Sequence, residues 1–234
     1  MPVDVSAVSN LPIFAGLDAE SCERVLWESH SSQVAQGKAV FQQGVEVFSI
    51  YLLLRGHVRV SRITESGDQV IVRLVSGGGI FGAAHAMGVA THPVSATAVE
   101  DSVVLSWPAT AWGALSARFP LLAANTLKAI GEKLQEAQNR VVEMSTEHVD
   151  QRLARTLLRL ADRSGCRTDD GVAINFPLTR RDIAEMTGST IFTVSRRLSS
   201  WEERGWIDGS RQRVVLKHPQ ALRAIVADVR APRS

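Results

Sequence analysis

Between Thr179 and Gly205 the chain reads TRRDIAEMTGSTIFTVSRRLSSWEERG. Val194, Leu198 and Trp201 recur at i, i+4, i+7, which puts one apolar stripe on a helix. Counting about 100° per residue, Phe192, Ser195, Arg196 and Ser199 fall on the opposite side. That face is small, polar and basic, with one aromatic near its start. A guanidinium can donate two parallel hydrogen bonds to the O6 and N7 edge of guanine, and an aromatic ring can press on a thymine methyl. Hydroxyls and basic groups at helix starts suit phosphate oxygens, which adds Thr179, Arg180, Ser189, Thr190 and Thr193 to the candidates. The competing reading is an ordinary helical hairpin whose Phe192 packs on a neighbouring domain.

The elements that would hold these groups are legible in the same stretch. Thr179 followed by Asp182 has the form of a capping box. Ile183 and Met186 sit i, i+3 on one face, and Gly188 permits a sharp turn. Ser189 or Thr190 would cap a second helix ending at Gly205. In a helix-turn-helix, such a second helix enters the major groove. The following WIDGSRQRVVLKHP places Trp206 and Ile207, then Val214, Val215 and Leu216, around a polar turn. That predicts a two-stranded wing carrying Arg211, Arg213 and Lys217 toward phosphate or sugar. Charge agrees: residues 1–150 hold 10 Lys+Arg against 15 Asp+Glu, whereas residues 151–217 hold 13 against 8. The basic part is the part with the motif.

The first half has a different texture. A helix is expected from Asp18 to about Glu28, then short strands at 58–60, 69–75 and 95–99 separated by SGD and SGGG turns. Many short strands at this spacing predict a sandwich or closed roll whose interior is a candidate ligand site. Between the halves, Leu127, Ile130, Leu134, Ala137, Val141, Met144 and His148 alternate at spacings of three and four, a heptad seam that predicts a parallel homodimer. The alternative is a helix packed on its own roll. A dimer would read a two-fold operator in double-stranded DNA.

Other classes are excluded or weakened. The longest apolar runs, such as IYLLL, are about five residues, too short to span a membrane. No basic-then-apolar leader opens the chain, so the expected location is cytoplasmic. Cys22 and Cys166, far apart, form neither a disulfide framework nor a zinc knuckle. Cys166 lies near Arg163 and Arg167, which could lower its pKa, although an ordinary thiol is the simpler reading. There is no His-x-His pair for a metal-binding cupin and no GxSxG elbow, so no enzyme is expected.

The roll segments QGKAVFQQG and IYLLLRGHVRV, the long helix, and TRRDIAEMTGSTIFTVSRRL together resemble the Crp/Fnr family of bacterial transcription regulators, from about Leu11 to Leu222. The resemblance implies an α+β chain: a cyclic-nucleotide-binding-like β-roll (1–120), a dimerisation helix (121–149), a winged helix-turn-helix (150–222) and a tail (223–234). It also implies RNA polymerase as a partner. Fnr-like members read bases with E-x-x-S-R. Ser195 and Arg196 match its Ser-Arg, and Phe192 replaces its Glu. Cyclic-AMP-binding members carry a Glu for ribose and an Arg for phosphate. In GGGIFGAAHAMGVATHPVSATA, Phe81 and Val94 fall at those positions, while Ser95 remains. The expected effector pocket is Ile80, Phe81, Gly82, Ala83, Met87, Val94 and Ser95, and the expected signal is not a cyclic nucleotide. A four-cysteine iron–sulfur cluster cannot be built within one chain from two cysteines. Haem stays open as a cofactor, with His85 the candidate axial ligand and His92 near it. A constitutive DNA-binding architectural protein with a dead sensor would share every one of these motifs.

Overall fold

The computed structural model describes residues 4–84, 88–210 and 212–228. The chain divides into two compact units, one of residues 1–68 and 72–137, the other of 69–71 and 138–234. His85, Met87 and Arg211, all named above as candidates, lie outside the described residues.

In the first unit, strands β1 (His30–Val34), β2 (Ala39–Phe41), β3 (Ser49–Arg55), β4 (His57–Ile63), β5 (Gln69–Ser76), β6 (Ile80–Phe81), β7 (Ser95–Ala98) and β8 (Ser102–Pro108) make two four-stranded sheets. Their orders are β1-β8-β3-β6 and β2-β7-β4-β5. Side chains alternate between sheet faces with period two. Val104 therefore joins Leu53, Val58, Val60 and Ala96 in a core drawn from both sheets. Leu105 and Trp107 face a second core. That core is closed by α1 (Ala19–Trp27) and α2 (Ala109–Arg118), through Val25, Leu26, Trp112 and Leu115. Asp18, where the sequence starts this helix, caps α1 by accepting from the Ser21 N–H. The buried Trp107 indole donates to the Val25 carbonyl at 2.7 Å, so its polar atom is satisfied.

One helix, α3 (Pro120–Thr146), runs 27 residues. It stops short of His148, which the seam reading includes. His148 instead caps α4 (Val149–Ser164) in a box with Gln151, so it is not a seam residue. Leu127, Leu134 and Val141 are 70%, 60% and 66% exposed, Ala137 and Met144 are also exposed, and Ile130 is half-buried.

In the second unit α4 buries Leu153, Leu157 and Leu160 and packs on α5 (Arg180–Thr187) and α7 (Pro219–Ala227), while α6 (Ile191–Glu203) packs on α5. The wing is larger than expected. Strands β11 (Ile207–Ser210) and β12 (Arg213–Leu216) form the anticipated hairpin, with Trp206 just before it. Two more strands, β9 (Gly165–Thr168) and β10 (Gly171–Ile174), extend it into a sheet of order β11-β12-β10-β9. Helix α7 also continues past residue 222, the expected end of the DNA-binding domain, and the fully buried Leu222 anchors it.

Candidate DNA-reading face and effector cavity

Helix α5 begins with the expected capping box, Thr179 and Asp182 each satisfying the other's backbone N–H. It ends at Gly188, whose φ of 59° is the left-handed conformation a turn here requires. Thr190 caps α6 by accepting from the Thr193 N–H. Val194, Leu198 and Trp201 are buried, which fixes the rotation of α6 about its axis. That rotation leaves Phe192 83% exposed and Arg196 exposed beside it, on the face opposite the core.

The basic groups divide into two kinds. Arg180 donates to both oxygens of Glu202 at 3.1 Å and approaches the Ser195 carbonyl and the Ser199 hydroxyl. Its charge is paired inside the motif, whereas the sequence reading has it facing phosphate. Thr179 is likewise engaged in its cap, and Ser199 by Arg180. Arg197 pairs with Asp150 at 2.9 Å and Arg181 with Glu185 at 3.8 Å. Arg196 belongs to none of these pairs. On the wing Arg213 is exposed, and Lys217 lies 4.0 Å from Asp208. Ser189 and Thr193 are half-buried at the start of α6.

The far end of α3 is fastened to this motif. Arg140 donates to the Met186 carbonyl, and Arg159 and Arg155 of α4 pair with Glu143 and Glu147. The Met144 sulfur lies against the Gly188 turn, where a Cβ would meet it at 3.4 Å.

Within the first unit a cavity of about 390 Å³ opens between the roll and α3. Ile80, Phe81, Gly82, Ala83 and Val94 line it, as the sequence predicts. Ser95 does not line it, because its hydroxyl is turned to accept from the Gln43 N–H at 2.9 Å. Phe81 is buried and stacks on Phe41 and Tyr51, at centroid distances of 6.0 and 5.3 Å. Gly82 has φ 70°, and a Cβ there would meet the Tyr51 ring at 2.6 Å. His92 is 2% exposed and stacks on Phe41 with centroids 3.8 Å apart and planes at 10°. Burial lowers its pKa, so the ring is neutral.

Sequence reasoning missed two cations in the wall, Arg73 and Lys133. Both left a signal. Arg73 shares strand parity with the buried Ile71 and Val75, so it points inward, and Lys133 lies three residues from Ile130 along the seam helix. Among the described residues no cluster of three or more metal-ligating side chains occurs. Cys22 is buried, which raises its thiol pKa, and Cys166 is exposed on β9.

In chain order the elements are a β-roll with an internal cavity, a long helix and a winged helix-turn-helix. Residues 32–119 match the cyclic nucleotide-binding domain family, and residues 151–225 match the Crp-like helix-turn-helix domain family. The chain belongs to the Crp/Fnr family of transcriptional regulators, and is a DNA-binding transcription regulator. It is similar to the fumarate and nitrate reduction regulatory protein of Escherichia coli (strain K12), 26% identical over 84% of this chain and 78% of the relative. It is also similar to the CRP-like cAMP-activated global transcriptional regulator of Mycobacterium tuberculosis (strain H37Rv), 22% identical over 90% of this chain and 94% of the relative. In fold it resembles FixK2 from Bradyrhizobium japonicum, with a TM-score of 0.75 at 20% identity, covering 88% of this chain and 99% of that one. Among the described residues no helix is long and apolar enough to cross a membrane.

Proposed function

We propose that the chain works as a homodimer joined along α3, reads a two-fold operator with α6, and is switched by a ligand other than a cyclic nucleotide in the roll cavity. The observation that carries the dimer is the exposed stripe of Leu127, Leu134, Ala137, Val141 and Met144, a row of apolar side chains that water alone would cover. The base-reading residues are Arg196, Ser195 and Phe192. The start of α6 (Ser189, Thr190, Thr193) and Arg213 on the wing take the phosphates. A promoter-bound dimer of this kind has RNA polymerase as its working partner.

The cavity supports the reading of the signal. Phe81 and Val94 offer no hydrogen bond to a ribose or a phosphate. Among the described residues only Arg73, Lys133 and His92 put polar side-chain groups into the wall, few partners for the edges of a purine and the sugar hydroxyl. An effector acts as a switch if it binds the DNA-competent state more tightly than the resting one. Selection from random DNA, with and without candidate effectors, tests the whole reading. A two-fold motif whose affinity responds to an apolar effector supports it. A motif indifferent to every effector, in a protein with an empty-handed cavity, favours the constitutive binder.

A further inference from the structure

We propose that the effector is a small neutral molecule, an apolar body carrying a hydroxyl group, and that His92 is the residue that recognises the hydroxyl. This rests on the roll cavity being the effector site.

Neutrality follows from the state of the charged groups in the wall. Arg73 donates to the Ile80 carbonyl at 2.9 Å and has a further partner, so its guanidinium is engaged within the protein. Lys133 pairs with Glu136 at 3.2 Å. Among the described residues no carboxylate lines the cavity. An ion of either sign would leave its hydration for a wall with no uncommitted charge to meet it. The body is set by Phe41, Val60, Ile80, Phe81, Val94 and Ile130, which offer hydrocarbon. About 390 Å³ filled at interior density holds roughly a dozen to eighteen heavy atoms.

His92 is a different kind of wall residue. It lines the cavity and is only 2% exposed. Its backbone is held on both sides: the N–H donates to the Val45 carbonyl and the carbonyl accepts from the Gly44 N–H, each at 2.8 Å. Its ring lies flat on Phe41, with centroids 3.8 Å apart and planes at 10°. Among the described residues that ring has no hydrogen-bond partner. Buried polar side chains are nearly always paired, so an unpaired imidazole fixed at a cavity wall marks where the polar group of a ligand belongs. Burial keeps the ring neutral, which leaves it one donor N–H and one acceptor nitrogen. A hydroxyl both donates and accepts, so it satisfies whichever nitrogen faces the cavity. An ether oxygen only accepts, and a hydrocarbon leaves the imidazole unpaired.

Calorimetry on the full-length protein tests this with two matched sets. One is 4-cyclohexylphenol, its methyl ether and 4-cyclohexylbenzoate; the other is 6-phenylhexanol, its methyl ether and 6-phenylhexanoate. At least one hydroxyl compound should bind about tenfold or more tightly than both its ether and its carboxylate. His92→Phe, which keeps the stacking on Phe41, should erase the gap between hydroxyl and ether and leave the affinity of the ether unchanged. In the parent protein, nitrogen NMR should show the His92 ring signals moving with the hydroxyl compound and staying in place with the ether, a readout that needs no variant to fold. Equal affinity for hydroxyl and ether, with Phe81→Ala still weakening both, would overturn the role of His92 and leave the cavity as the effector site. Tightest binding by a carboxylate would overturn neutrality. Silence from all six compounds would overturn the proposal and the cavity reading together.

Discussion

Arg180, in the first turn of α5, donates to both carboxylate oxygens of Glu202, near the end of α6, at 3.1 Å. The pair ties the start of α5 to the end of α6, and the expectation it raises is that Arg180 positions the recognition helix. Its side chain is 38% exposed, so solvent screening limits its worth to about 1 kcal/mol. Arg180→Ala should lower the melting temperature slightly and weaken operator binding with the salt slope unchanged. A slope reduced by about one would instead make Arg180 a phosphate contact.

Arg196→Ala should cost about 1–3 kcal/mol on the preferred site and flatten discrimination at one base pair. Arg213→Ala should weaken all sequences alike and reduce the salt slope by about one. Phe192→Ala should relax preference at a T·A pair. Selection from random DNA by the three variants separates these outcomes, and an unchanged motif for Phe192→Ala would remove that residue from the groove.

The α6 face was readable in the sequence because burial there follows a strict period: Val194, Leu198 and Trp201 point in, so Phe192 and Arg196 must point out. The caps at Thr179 and Thr190 were readable for the same local reason. The roles of Arg180, Ser95 and Arg73 were not, since each depends on a partner distant in sequence or on which sheet face is inward. Arg180 looked like a phosphate contact until Glu202, a helix away, claimed it. The strand pair β9–β10 escaped notice because GVAI is short and its partner strand is exposed throughout.

Leu134 lies mid-seam and 60% exposed in the single chain. Leu134→Arg would set two like charges near a dyad, at a cost of several kcal/mol. Sedimentation velocity should show a monomer at micromolar concentration. A persistent dimer would place the interface elsewhere.

Cyclic AMP should fail to bind in calorimetry at micromolar concentrations. Two charge-assisted bonds absent at Phe81 and Val94 amount to roughly 3–6 kcal/mol, enough to move a micromolar site to millimolar or weaker. A low-micromolar dissociation constant would mean that Arg73 and Lys133 take over the phosphate.

Acid should weaken the roll through His92. Burial depresses its folded-state pKa below the ordinary 6.5, so the unfolded chain takes up a proton first. The stability it contributes is present above about pH 6.5 and is lost as the pH falls toward the folded value. Thermal unfolding of the parent between pH 7.5 and 5.5 should show a steeper decline than His92→Phe, which keeps the stacking on Phe41 and cannot titrate. Parallel curves would assign the acid sensitivity to other groups.

The stacked rings of Phe41, Tyr51 and Phe81 also constrain how this sensor can change over generations. Restoring a ribose-binding carboxylate by Phe81→Glu would remove a buried ring, open a hole between Phe41 and Tyr51, and leave an acid facing hydrocarbon. The neighbouring Gly82 cannot shift to compensate, since any side chain there would strike Tyr51. A single substitution therefore makes an inferior protein before it makes a nucleotide receptor. Reaching the other specificity requires several changes arriving together.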